Sequence, residues 1–281
     1  MSGAEAIDLN TPWRQPHGAP GGLTRLAVGR SAEVYAWGDD HVLKLFQPGF
    51  PLEYIALEVK NTRNAHALGL PTPSDAGHVE WHQRSGIVFK RMDGPTVYEL
   101  IQTVGADRAA LGRRFFDIQQ SIHRCNFSEL LPIQAKLAER IRLDKGLPKT
   151  LRAEAIDKLL RAPLSDTVCH GDFHPMNVIM AASGPVIIDW MDMSRGDPAI
   201  DVMRTLLYLR FGRGREINQA TRAEFLGAYS ERCREVWSGR MEQLQYWQLP
   251  IAVARMSISQ VKDDEHSDLM ELIENRHSCL L

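Results

Sequence analysis

Up to about Arg91 the chain alternates apolar and polar positions at the two-residue period of a strand. The pattern predicts strands over Thr24–Val28, Glu33–Trp37, His41–Phe46, His78–Gln83 and Gly86–Arg91. Gly38-Asp39-Asp40 is a hairpin signal between the second and third of these. One helical stretch interrupts them, Glu53 to Leu68, ended by Gly69 with Pro71 and Pro73 beyond. Past Met92-Asp93-Gly94-Pro95 the period lengthens: Leu111, Phe115, Ile118 and Ile122 fall on one face of an amphipathic helix. Further helices are predicted over about 131–144, 151–161, 198–211, 217–237 and 240–275, the last one broken. Two or three short strands fit between Thr167 and Asp189. The expected class is α+β in two parts. Residues 1–93 form a small antiparallel β-rich lobe with one main helix, and residues 94–281 a larger, mostly helical lobe. A cleft between two lobes is a usual place for a ligand.

Composition narrows the function classes. With 44% apolar and 24% charged residues, the 281-residue chain is that of an ordinary globular protein. A net charge of -2 and the lack of a Lys/Arg block argue against a nucleic-acid partner. No apolar run approaches the ~18–20 residues that span a bilayer, so no membrane partner is expected. Met1 to Gly22 is polar and rich in Pro and Gly, unlike a secretory signal. Cys125, Cys169, Cys233 and Cys279 have no paired spacing, which points to reduced thiols in a cytoplasmic protein.

The candidate chemistry sits in His170-Gly171-Asp172-Phe173-His174-Pro175-Met176-Asn177 and in Val186-Ile187-Ile188-Asp189-Trp190. Asp172 is suited to accept or orient the proton of an attacking hydroxyl. Asn177 offers an amide oxygen and Asp189 a carboxylate, both suitable ligands for the hard cation Mg²⁺. That layout is one for phosphoryl transfer, where the protein positions groups and neutralises charge. Taken alone, His170-x-Asp172-x-His174 reads equally as a transition-metal site of a metal-dependent hydrolase. Asp197-Pro198 begins a helix, Asp as its cap, and Asp201 is read as bracing the reactive loop.

These segments, with Gly196-Asp197-Pro198, resemble the aminoglycoside phosphotransferase and choline kinase family, small-molecule kinases with a bilobal protein-kinase-like fold. The resemblance implies Asp172 as the catalytic residue and Asn177 and Asp189 as the metal ligands. It also implies ATP and Mg²⁺ as cofactors and a small-molecule hydroxyl as acceptor. A kinase of this kind places a strand lysine on the nucleotide phosphates, held by a helix glutamate. Lys44, in an otherwise apolar strand, and Glu58, on the one helix of the first lobe, match that pair, with Glu53 the second candidate. Ser31, in the loop Val28-Gly29-Arg30-Ser31, matches the phosphate-covering loop, although only one glycine remains there. Phe89 and Met92 match the strand and hinge that line an adenine pocket.

Two other classes stay open at this stage: a kinase-like binding protein without activity, and the hydrolase. The short run from Asp189 to Asp197 leaves no room for a peptide-docking segment, which favours a small acceptor. Its identity is open between two patterns. The acidic run Asp263, Asp264, Glu265, Asp268, Glu271 and Glu274 suits a polycation or a solvated helix face. Trp190, Trp237, Tyr246 and Trp247 suit a cage for a quaternary amine or plain core.

Overall fold

The computed structural model describes residues 23–74, 76–212, 218–258 and 263–275. Met1 to Gly22 and Cys279, which figured in the reading of signal peptide and thiols, lie outside them. The chain divides into two compact units. One comprises the described residues through Pro95 together with Val178–Asp192, the other Thr96–Asn177 and the residues from Met193 on.

The first unit is built on a five-stranded antiparallel sheet: β1 (Arg25–Val28), β2 (Ala32–Trp37), β3 (His41–Phe46), β4 (Gly77–Trp81) and β5 (Arg84–Lys90), in the order β1-β2-β3-β5-β4. Trp37 pairs with His41 across the Gly38-Asp39-Asp40 turn, where Gly38 adopts a φ of +66°. The second hairpin corrects the expected strand boundary. The sequence pattern carried the strand through Gln83, yet Trp81 pairs with Arg84 and His82-Gln83 form a two-residue turn. Both turn residues take positive φ (47° and 62°), the twist such hairpins require, without the Asn-Gly that usually announces it.

Strand alternation gives the sheet two apolar faces. Trp37, Leu43, Leu45, Val79 and Val88 form one cluster. Ala32, Phe46 and Ile87 form the other, with Ile55 and Val59 of α1 (Leu52–Ala67). Lys44 pairs with Ile87 and follows Val42 by two residues, so its side chain emerges on the α1 face. A hairpin of β7 (Val178–Ala181) and β8 (Gly184–Ile187) also belongs to this unit, bonded through Met180 N–H to Pro95 C=O and Ile187 N–H to Pro71 C=O.

The second unit is mostly helical. Its helices are α2 (Val97–Gln102), α3 (Arg108–Ile122), α4 (Ile133–Leu143), α5 (Lys149–Arg161), α6 (Pro198–Phe211), α7 (Gln219–Val236), α8 (Met241–Met256) and α9 (Asp263–Glu274). A two-strand ladder of β6 (Val168–Cys169) and β9 (Ser194–Arg195) joins them. Helix α2 is too short for periodicity to reveal, but Thr96 and Glu99 form a capping box at its start. Asp197 caps α6 through the Ala199 N–H, with Pro198 in the first position. Helices α3 and α7 meet through Phe115, Phe116, Phe225 and Tyr229, whose rings lie 5.3–6.0 Å apart. Among the described residues Cys125, Cys169 and Cys233 form no disulfide. Among the described residues no helix is long and apolar enough to cross a membrane.

Candidate active site

The expected site residues fall into two groups, one in each unit. In the first unit α1 turns Ile55, Glu58, Val59, Thr62 and Ala65 inward. Glu58 is thereby buried opposite Lys44, whose Nζ donates to both carboxylate oxygens at 2.7 and 2.9 Å. Lys44 Nζ also donates to Asp189 Oδ1 at 3.1 Å. Burial works against the Lys44 charge, but Asp189 and Glu58 outweigh it and hold the ammonium protonated beyond its ordinary range. Burial also pushes the Glu58 carboxyl up, to about 7, against the pull of Lys44. The two-oxygen contact is that of an ion pair.

Asp189 follows β8 with a φ of +65°, a left-handed conformation uncommon outside glycine and a mark of functional loops. Asn61, one turn after Glu58, holds the segment beyond it: its amide donates to the carbonyls of Trp190 at 3.0 Å and Met191 at 3.3 Å. One helix face thus fixes both Lys44 and the Asp189 turn. Glu53 lies exposed in the first turn of α1 and makes no recorded bond to Lys44. Ser31 sits half-buried in the β1–β2 turn, which the Gly29 N–H closes on Ala32 C=O at 2.8 Å. Phe89 packs against the Phe46–Ile87 cluster, and Met92 lies half-buried past the end of β5.

In the second unit the loop from His170 to Asn177 is strung along α6, whose successive turns hold successive loop residues. Asp201 accepts the N–H groups of His170 and Gly171 at 3.1 and 2.8 Å. Four residues on, Thr205 donates to Phe173 C=O at 2.8 Å. A further turn along, the Tyr208 ring stacks on His174 at 4.6 Å. Gly171 carries a φ of +83°, which lets the loop turn there.

Asn177 donates its amide N–H to Asp172 C=O at 3.0 Å, which leaves the amide oxygen as the end not used in that bond. Nε2 of His174 lies 3.5 Å from the Asp172 carboxylate and 3.2 Å from the Asn177 amide nitrogen. It cannot donate to one and accept from the other at once. A carboxylate only accepts, so Asp172 selects the tautomer with the proton on Nε2. Loss of surrounding water works to raise the Asp172 pKa. The His174 contact, Arg204 and His170 outweigh it and hold the carboxyl well below the usual range.

A model of the phosphotransferase enzyme family matches residues 22–237. The chain belongs to that family. No curated protein sequence matches it. Among solved structures it is similar to an aminoglycoside phosphotransferase determined as a ternary complex with AMP-PNP and hygromycin B. The two are 16% identical, with 90% of each chain covered and a TM-score of 0.60. An aminoglycoside-3'-phosphotransferase of type VIII is 18% identical over 83% of this chain and 94% of its own, with a TM-score of 0.58. A choline/ethanolamine kinase family protein from Mesorhizobium loti is 20% identical over 92% of this chain and 88% of its own, with a TM-score of 0.51. The fold is the kinase-like α+β fold of these structures.

Within this family member the hydrolase alternative finds no support in the donor geometry. His170 Nδ1 accepts the Asp172 N–H at 3.2 Å, and His174 is stacked and turned to Asp172. Among the described residues no three His, Cys, Asp or Glu side chains are placed to hold a metal ion together.

The aromatic residues considered for a cage are structural. Trp190 is buried and donates to Ile187 C=O, Trp247 donates to Asp197, and Trp237 to Gln120. Tyr246 donates to Lys158 C=O. Sequence reasoning missed Asn61, His123, Arg204 and Tyr208. Asn61 alone carried a signal, its place three residues after Glu58.

Proposed function

We propose that the protein transfers the γ-phosphoryl group of ATP to a hydroxyl of a small molecule, with Mg²⁺ as metal cofactor. The observation that carries this reading is the Lys44 ammonium shared between Glu58 and Asp189, the latter 145 residues further along the chain. A half-buried cation fixed by two carboxylates is a ready anchor for nucleotide phosphates. In this reading Lys44 binds the α- and β-phosphates and Glu58 orients it. Ser31 contacts the outer phosphates, and Phe89 and Met92 line the adenine pocket. Asn177 and Asp189 would hold the magnesium ion, which when bound neutralises charge on the phosphoryl oxygens.

Asp172 accepts a hydrogen bond from the acceptor hydroxyl and turns its oxygen toward the phosphorus. Held ionised by its neighbours, it is a weak base and acts chiefly by orientation. Aminoglycosides, choline and related amino alcohols or sugars, suggested by the names of the similar structures, belong in the panel of acceptors.

The test is ATP turnover over a panel of amino sugars, amino alcohols, sugars and their acid derivatives, with Asp172→Ala alongside. ADP formation that needs an acceptor and is lost in the variant supports the mechanism; turnover unaffected by Asp172→Ala sinks it. Nucleotide binding without turnover on any acceptor selects the inactive binding protein. Hydrolysis with zinc and no nucleotide selects the hydrolase.

A further inference from the structure

A cavity in the helical unit opens beside Asp172, and its lining is rich in guanidinium groups. Arg140 comes from α4, Arg204 from α6 and Arg255 from α8. Among the described residues Asp172 is the one carboxylate in that lining. Arg255 is held in place: its Nε–H donates to the buried Glu265, and its guanidinium lies over the Tyr208 ring at 5.5 Å from the centroid. Only one of its five N–H groups is spent on Glu265. Tyr208 in turn stacks on His174 beside Asp172. Leu137, Ile251, Ala254 and Ile258 supply an apolar wall.

Guanidinium groups match carboxylate and phosphate oxygens two at a time, and repel ammonium groups. On α9, Glu265 is turned onto Arg255, while Asp264, Glu271 and Glu274 are exposed. Resting on the reading of Asp172 as the acceptor-orienting group, we propose that the acceptor is a small hydroxy compound bearing a carboxylate or phosphate. The arginines of α4, α6 and α8 hold that anion, and the apolar wall holds a short carbon skeleton. A polycationic amino sugar is then the wrong partner for this cavity.

The test uses the full chain and calorimetric titration with four probes: glycerate, glucose 1-phosphate, kanamycin and AMP-PNP. Glycerate or glucose 1-phosphate is expected to bind, and whichever binds more tightly assigns the anion. Arg140→Gln should weaken that anion ~10-fold or more. Removing Arg255 alone would strand Glu265, so the second variant is the double change Arg255→Gln with Glu265→Gln, with the same expected loss. Arg161→Gln, an exposed position on α5, should leave it unchanged. Lys44→Ala should abolish AMP-PNP binding while the anion still binds, which separates this cavity from the nucleotide reading.

In turnover with ATP, glycerate should exceed glycerol by ~10-fold or more in kcat/KM, since only the former uses the guanidinium contacts. Tighter binding of kanamycin than of either anion, no anion binding, or anion affinity unmoved by both arginine variants overturns the proposal. If anions bind and the variants lose them but AMP-PNP does not bind the unaltered chain, the anion site stands and the phosphotransferase reading falls.

Discussion

His123, at the C-terminal end of α3, pairs with the fully buried Asp201 of α6: Nε2 lies 3.0 Å from Oδ2. The same carboxylate takes the N–H groups of His170 and Gly171, so α3, α6 and the reactive loop converge on one side chain. Asp201 touches no candidate substrate position, yet it sets where Asp172 stands.

Asp201→Asn is therefore expected to lower stability by about 2–4 kcal/mol at neutral pH, since it removes a charge that three donors share. Burial works to raise the Asp201 pKa, but His123, His170 and the Gly171 N–H outweigh it, so its folded pKa lies below the unfolded one. A depressed carboxylate contributes stability above the unfolded pKa, near 3.9, and loses it as pH falls through the folded pKa. Denaturant unfolding from pH 7 down to pH 3 should show the gap between variant and parent closing below about pH 4.

Lys44→Ala leaves Glu58 buried without its partner. A loss of about 3–5 kcal/mol is expected, together with a fall in kcat of roughly 10²-fold or more. Burial already raises the Glu58 carboxyl, and without Lys44 it rises further. A raised folded pKa gives stability that is present at low pH and lost as pH climbs. The variant should thus melt lower at pH 8 than at pH 5.5. Lys44→Met combined with Glu58→Leu should regain much of the stability but none of the activity. A double variant as unstable as Lys44→Ala would contradict the stranded-charge account.

For Asp172 the expected outcome is a flat acidic side in the kcat/KM profile. With its pKa held well below the usual carboxylate range, the group is ionised across pH 5–9 and contributes no limb there. An ionisation near pH 6 that disappears in Asp172→Asn would reverse this assignment.

Gly112→Ala tests the helical unit away from the chemistry. A Cβ at this position would lie 2.5 Å from Phe225 O and 3.1 Å from Tyr229 N, both backbone atoms of α7. Helices α3 and α7 must separate, which costs about 1–3 kcal/mol. Thermal unfolding should register the loss, with kcat of the folded protein unchanged.

How much of this was readable in the chain differs by element. Lys44 and Glu58 were legible because a charge in an apolar strand demands a partner, and α1 offered one on its inward face. Gly38-Asp39-Asp40 announced its hairpin by residue type, whereas His82-Gln83 did not, since His is only a weak signal for a left-handed turn and Gln is none. The loop from His170 to Asn177 advertised its residue types, but the place of the His174 ring, between Asp172 and Tyr208, is set in space. Least legible were the arginines beside Asp172. Arg140, Arg204 and Arg255 lie on three helices far apart in sequence, and each alone is an ordinary helix arginine.

The positive φ of Asp189 bears on how this chain can drift under mutation. One-base changes of an aspartate codon reach Asn, Gly, His, Tyr, Val, Ala and Glu. Only the first three sit readily in the left-handed region, and a β-branched Val there is a gross misfit. Most changes at this codon therefore strain the turn, while Asn and Gly remove the charge and keep the backbone. In the proposed reading of Asp189, lineages that lose the charge through this codon would still make a folded protein, and a kinase-like scaffold retained only for binding lies one base away.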